Sequence, residues 1–160
     1  MTTTKIMNTT KIMNTATDNE LHRGIAAKLL AAEQQYTPNR RAVTSVLSDA
    51  DGPMTLPEIL SADPSLAQSS AYRSLAVLVD AGVVRRLVHG GDHAHYELAE
   101  HLTEHHHHLV CDTCGTVVDV TLPGRVESAM DRSFADAAGK HGFVPSRHAV
   151  DIYGVCAACR

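Results

Sequence analysis

The stretch QSSAYRSLAVLVDAGVVRRLV, residues 68–88, decides the architecture of this chain. Leu75, Leu78 and Val79 recur at helical spacing and predict a helix over residues 68–81 with those side chains turned inward. Gly82 follows, a residue free to take the left-handed conformation that closes a helix. Residues 83–88 and 94–98 then read as short strands around the turn His89-Gly90-Gly91-Asp92.

Working upstream, Asp63-Pro64 separates this helix from a shorter one that runs to about Ser61, with Thr55 and Glu58 at capping-box spacing. Gly52-Pro53 breaks the chain before it. Thr37-Pro38 has the form of a helix start, with Val43, Val46 and Leu47 following at helical spacing. Three helices and a hairpin are the parts of a winged helix-turn-helix, whose third helix enters the DNA major groove. The first half of that helix is small and polar. It offers Gln68, Ser70, Tyr72 and Arg73 to bases and phosphates.

A further helix is expected over residues 21–35, with Ile25, Leu29 and Leu30 on one face. Residues 1–20 contain the direct repeat TTKIMN at 3–8 and 9–14, without hydrophobic periodicity. They read as a disordered tail, or as sequence upstream of a later start at Met7 or Met13.

The chain has 160 residues, 44% hydrophobic and 20% charged, which suits a folded protein with one sizeable core or two small ones. A formal net charge of -4 argues against a general nucleic-acid coat. The charge is uneven: residues 22–86 carry seven Lys/Arg against six Asp/Glu, residues 87–160 five against ten, with ten of the eleven His. An acidic, imidazole-rich half has the donors that divalent cations bind. No apolar run approaches a membrane span, and no secretory signal is visible. The expected compartment is the cytoplasm, where cysteines stay reduced.

Beyond about Glu104 the period changes. Residues 105–111, 116–122 and 148–156 alternate as strands, and residues 125–140 read as a helix closed by Gly142. The fold class expected is α+β. Cys111-x-x-Cys114 and Cys156-x-x-Cys159 form two matching knuckles. Four thiolates saturate zinc and leave no open position, so the site they predict is structural. A thioredoxin-like redox pair would need one such pair, not two.

His105-His106-His107-His108 leads into the first knuckle. On a strand, His106 and His108 share one face and His105 and His107 the other, so one strand can feed two sites. Partners for His106 and His108 are expected from the wing: His93, His95 and Glu97, with His89 and His101 less suited. Partners for His105 and His107 are expected from Glu127 or Asp131 and from His148. His22 and His141 read as surface residues. No deaminase, zincin, nucleophile-elbow or phosphate-loop pattern is present, so no enzyme is expected.

Over residues 36–160 the sequence resembles the ferric uptake regulator family of bacterial metal-sensing repressors. The motifs are Ser70-Ala71-Tyr72-Arg73-Ser74-Leu75 leading to Asp80-Ala81-Gly82-Val83-Val84, the His run with the first knuckle and Gly115, and Lys140-His141-Gly142-Phe143 with His148, Tyr153-Gly154 and the second knuckle. Thr37-Pro38-Asn39-Arg40 resembles the start of the family's first helix. The resemblance implies a winged helix-turn-helix over residues 21–98, a hinge over 99–104 and a small α/β dimerisation domain over 105–160. It implies a structural zinc on Cys111, Cys114, Cys156 and Cys159. It also implies a sensing metal on Glu97, His106 and His108, and an auxiliary metal on His105, His107, an acid of the helix and His148. Tyr72 and Arg73 match the family's DNA-contacting pair, and Arg40 a phosphate contact.

The sequence departs from the family at some positions. Gly52-Pro53 stands where many members have a His. Arg85 and Ala99 stand where zinc-sensing members often supply an Asp and a Cys, and His93, His95 or His101 are the available substitutes. The expected function is a metal-dependent, homodimeric repressor of metal-homeostasis genes acting on double-stranded operator DNA. Zinc is favoured as the sensed metal, with iron, nickel and manganese open. The alternatives are an iron-based peroxide sensor on the same scaffold and a zinc buffer that does not bind DNA.

Overall fold

The structure is a computed structural model that describes residues 15–88 and 94–160, with side chains described from residue 18 onward. The TTKIMN repeat, the wing turn at 89–92 and His93 lie outside the described residues.

Helix α1 (Thr15–Ala31) is followed by α2 (Pro38–Asp49), strand β1 (Met54–Thr55), α3 (Leu56–Ala62), α4 (Gln68–Asp80), β2 (Val84–Leu87) and β3 (His95–Leu98). The starts of α2 and α3 follow from local chemistry. Thr37 caps α2 by accepting the Arg40 N–H, with Pro38 in the first turn. The Glu58 carboxylate reaches back 2.6 Å to the Thr55 N–H at the head of α3. Helix α4 buries Ala71, Ser74, Leu75 and Leu78, a single stripe at helical spacing, and Gly82 leaves it at φ +67. Ala71, Leu75 and Leu78 meet Ile25, Leu29, Val43, Ile59, Val83 and Leu98 in one apolar core. Packed α2, α3 and α4 with the β2–β3 hairpin make a winged helix-turn-helix. The two-residue β1 was not legible as a strand; it pairs Met54 with Tyr96 and completes a three-stranded sheet, order β1-β3-β2.

Helix α1 corrects three expectations. It begins at Thr15, inside the stretch read as tail, with Asp18 in its first turn, where a negative charge favours the helix dipole. Leu30 is 76% exposed, because Ile25 and Leu29, four residues apart, already define the inward face. His22, read as a surface residue, belongs to that inward face and is buried.

The expected hinge contains a short 3-10 turn, Glu100–Leu102, whose Leu102 packs against the N-terminal core. Strands β4 (His107–Cys111), β5 (Val117–Val120) and β6 (Asp151–Gly154), with helix α5 (Gly124–Gly139), complete the chain. β4 is central, antiparallel to β5 and parallel to β6. It starts two residues later than expected, so His105 and His106 approach it from the preceding loop. Leu109 stands in register with Val118 on one side and Ile152 on the other, and all three are exposed. Helix α5 buries no residue within the chain.

Candidate metal centres and DNA-reading face

Three groups of donors gather around β4, and within each group the ligand atoms lie within 4.8 Å of one another. The first is Cys111, Cys114, Cys156 and Cys159. Gly115 at φ +74 turns the first knuckle back, and Cys114 Sγ stands 3.8 Å from Cys156 Sγ. The Cys156 N–H points at Cys111 Sγ from 3.3 Å, and with the Cys114 and Thr113 N–H groups it lowers that thiol to about 6. Cys159 is pushed up to about 12, chiefly by its hydrogen bond with Cys156. Four sulfurs this close cannot all ionise unaided, and a cation removes that conflict.

The second group joins the two halves of the molecule. Glu97 of β3 turns Oε2 to His108 Nε2 at 3.0 Å and to His106 Nε2 at 3.2 Å. Asp119 of β5, the register partner of His108, closes the fourth side at 3.9 Å from His108 Nε2 and 4.0 Å from His106 Nε2. His108 Nδ1 is held at 3.1 Å by Asp151 of β6, and His106 Nδ1 lies 2.9 Å from the Glu104 carbonyl. Such outer partners fix the ring orientation of a ligating imidazole. Burial alone would raise the Glu97 carboxyl, but His108, His106 and the Arg85 charge outweigh it and hold Glu97 below the usual range. Burial likewise works against protonation of His106 and His108; the Glu104 carbonyl with the Glu97 and Asp119 carboxylates overcomes it at His106, and the Glu97, Asp151 and Asp119 carboxylates at His108, so both are raised.

The third group is His105, His107, Glu127 and His148. Glu127 of α5 lies 2.9 Å from His107 Nε2, 3.4 Å from His105 Nε2 and 3.5 Å from His148 Nε2. Asp131, the rival acid in the sequence, instead holds His148 Nδ1 at 3.1 Å. His105 Nδ1 is paired with Glu100.

Both His/carboxylate groups fit a cation. Asp119 Oδ1, His107 Nδ1, Glu127 Oε2 and His148 Nε2 are buried and make no hydrogen bond, whereas Glu97 Oε1, also without one, faces the Arg85 guanidinium at 3.3 Å. Polar atoms left this way are costly unless something further satisfies them.

The sequence-derived residues divide as follows. Glu97, His106 and His108 come together, as do His105, His107, Glu127 and His148. His95 does not join the hinge group. It stands two residues away from Glu97 along β3, opposite Thr55, with its charge acting on Glu58. His93 lies outside the described residues. Sequence reasoning missed Asp119. Its signal was a lone acid in the apolar strand Val117-Val118-Asp119-Val120, directly across from the His run.

Tyr72 and Arg73 stand exposed on α4, with Tyr72 63% accessible. They line a groove with Ser70, Thr37, Asn39 and Arg40. Gln68 is exposed at the start of α4. The Arg40 guanidinium is engaged with the Gln35 carbonyl and, at 3.3 Å, with Gln34 Oε1.

A winged helix tied through one carboxylate to a sheet carrying three donor clusters defines a class: regulators that read DNA and bind metal. Residues 31–153 match the Ferric uptake regulator family, and the chain belongs to that family of metal-responsive transcriptional regulators. It is 30% identical over 147 residues to the peroxide-responsive repressor PerR of Staphylococcus epidermidis, covering 89% of this chain and 92% of that one. It is 31% identical to the peroxide operon regulator of Bacillus subtilis, over 78% of this chain and 83% of that one. The fold also matches the solved ferric uptake regulator of Helicobacter pylori, with a TM-score of 0.67 at 21% identity over 88% of this chain and 92% of that one.

Proposed function

We propose that the chain is a metal-dependent repressor that binds operator DNA as a homodimer and releases it when its sensed metal is scarce. The carrying observation is the position of Glu97: a carboxylate of the wing sheet bonded to two imidazoles of the C-terminal sheet. When bound there, a divalent cation supplies the double positive charge that Glu97 and Asp119 neutralise together. Glu97 belongs to the DNA-reading unit, and His106, His108 and Asp119 to the other. Engaging all four donors therefore fixes the angle between the units. In a dimer, that angle sets the spacing of the two α4 helices, which must match one DNA turn, ~34 Å. Coupling of this kind is reciprocal, so DNA tightens metal binding by the factor that metal tightens DNA binding.

The exposed Leu109–Val118–Ile152 row and the unburied α5 support a self-complementary interface. The four cysteines hold a structural zinc, and His105, His107, Glu127 and His148 an auxiliary ion. Two imidazoles with two carboxylates at the hinge favour zinc by donor count, and iron, nickel and manganese share part of that donor chemistry. The cytoplasm is the compartment that suits DNA as partner and reduced thiols; no described helix is long and apolar enough to cross a membrane. The test is DNase footprinting on the chain's own promoter with the hinge metal added and then chelated, the thiolate site left filled. Protection that appears with metal and fades on chelation is the expected result; equal protection in both conditions rejects the reading.

A second reading rests on the relatives, one named a peroxide-responsive repressor and the other a peroxide operon regulator. On it, His106 or His108 gains an oxygen atom when the iron(II) form meets peroxide. Mass spectrometry of the treated protein decides: a 16 Da addition on either His supports it, and unmodified imidazoles reject it.

A further inference from the structure

The donor set at the hinge includes a neighbour that no ligand role explains. Arg85 of β2 is the register partner of Glu97, and its Nη1 lies 3.3 Å from Glu97 Oε1. The two oxygens of that carboxylate are thus divided: Oε2 faces His106 and His108, and Oε1 faces a fixed positive charge. Glu97 is 6% exposed, which weakens solvent screening around it, while the Arg85 side chain is 31% exposed.

We infer that Arg85 is a specificity-determining positioning residue: it reserves Glu97 Oε1, limits that carboxylate to one oxygen toward the hinge cation, and so sets which divalent metal the site prefers. The inference rests on the hinge cluster being the sensing site. A carboxylate can bind through one oxygen or two, and larger cations that fill six or more positions gain most from the second. Zinc is satisfied by four donors. With Oε1 turned to Arg85 and Asp119 engaged through one of its two oxygens, Glu97, His106, His108 and Asp119 offer four donor atoms, a count that suits zinc. With Oε1 released, the same residues offer a fifth oxygen, which suits manganese(II). The guanidinium also repels any cation seated beside Glu97, and it does so for both metals alike. Selectivity therefore separates the positioning role from simple charge repulsion.

The test uses full-length protein with its thiolate site filled and the auxiliary site disabled by Glu127→Ala with His148→Ala. Zinc(II) and manganese(II) affinities are measured separately by competition with chromophoric chelators. Arg85→Gln should tighten manganese about tenfold more than it tightens zinc, the gain expected of one added oxygen donor in a shielded site. Arg85→Lys, which keeps a cation beside Oε1, should restore the parent ratio. An unchanged zinc-to-manganese ratio in Arg85→Gln, at whatever absolute affinity, overturns the inference. Failure of the underlying reading looks different: His106→Ala with His108→Ala, Arg85 intact, would then bind as many equivalents of metal as the parent. A ratio of affinities is insensitive to a modest loss of stability, so partial misfolding does not imitate the expected result.

Discussion

His108 Nε2 and Glu97 Oε2 lie 3.0 Å apart, and they belong to different sheets. This contact carries the orientation of the wing into the C-terminal sheet, and His106 repeats it from the preceding loop at 3.2 Å. Removing both imidazoles, His106→Ala with His108→Ala, should abolish the metal dependence of operator binding in gel-shift titrations. Circular dichroism should stay unchanged, because the N-terminal core does not use these side chains. Retained metal-dependent binding in a folded double variant would remove the hinge from the mechanism.

The thiolate cluster has the opposite character. Cys111 ends β4, is buried and receives the Cys156 N–H, so it ties the C-terminal knuckle to the central strand. A serine oxygen is a poor substitute for a thiolate ligand of zinc, and binding energy at such a site is folding energy. Cys111→Ser should lose one zinc equivalent by elemental analysis and lower the melting temperature of the C-terminal half. It should leave α2–α4 folded. A parent-like melting curve with full zinc content would contradict a structural role.

Much of this arrangement was legible because local chemistry agrees with the tertiary structure. Thr37-Pro38, Thr55 with Glu58, and Gly82 mark helix ends that the structure reproduces. The alternation of the His run by itself separates two donor groups. What stayed hidden depends on pairing between distant strands. Asp119 enters the hinge because β5 pairs with β4 in one register, and no local pattern announces a register. His95 fell away for a related reason: its strand neighbours are Thr55 and Leu87, on the far side of Glu97 from the hinge. The burial of His22 has no local signature either, since the partners that satisfy this imidazole, Tyr36 and Ser45, come from outside its helix.

Those partners make His22 a source of pH dependence. Its ring lies 3.1 Å from Asp18 and 3.4 Å from Ser45, and Nδ1 meets the Tyr36 hydroxyl, which in turn bonds Thr44 at 2.6 Å. Burial first, and then the Arg41 charge, lowers His22 below its ordinary 6.5 despite the pull of Asp18. The unfolded chain therefore takes up a proton near 6.5 while the folded chain does not. Its contribution is complete above that pH and is lost as pH falls toward the depressed folded value. Chemical denaturation as a function of pH should show this loss, and His22→Gln should flatten that part of the curve. Identical pH profiles for parent and variant would assign the acid sensitivity elsewhere.

On α4, Tyr72 and Arg73 point away from the core, whereas Leu75 and Leu78 build it. Substitution on the two faces should separate binding from stability. Tyr72→Ala and Arg73→Ala should weaken operator binding at constant stability. If Arg73 contacts a phosphate, its variant should also show a salt slope smaller by about one. Leu78→Ala should instead destabilise the fold by about 2–5 kcal/mol. Salt-dependent DNA titrations beside urea unfolding curves measure both. An Arg73→Ala variant with parent-like affinity at every salt concentration would move the reading face off this helix.

The C-terminal sheet presents an apolar row to solvent. Leu109, Val118 and Ile152 stand in one cross-strand row, 41%, 49% and 44% exposed. Water-facing apolar side chains in register across a sheet gain by meeting a like surface, and a two-fold axis lets one row serve both partners. Val118 is the residue to change, because it is not itself one of the donors yet sits in the row. Val118→Asp should place two like charges near each other across the interface and shift the protein toward monomer in sedimentation equilibrium. Zinc content should be unchanged and metal-dependent DNA affinity greatly reduced, since a lone winged helix reads only half a site. A Val118→Asp protein that remains dimeric would place the interface elsewhere, with the unburied face of α5 the next surface to probe.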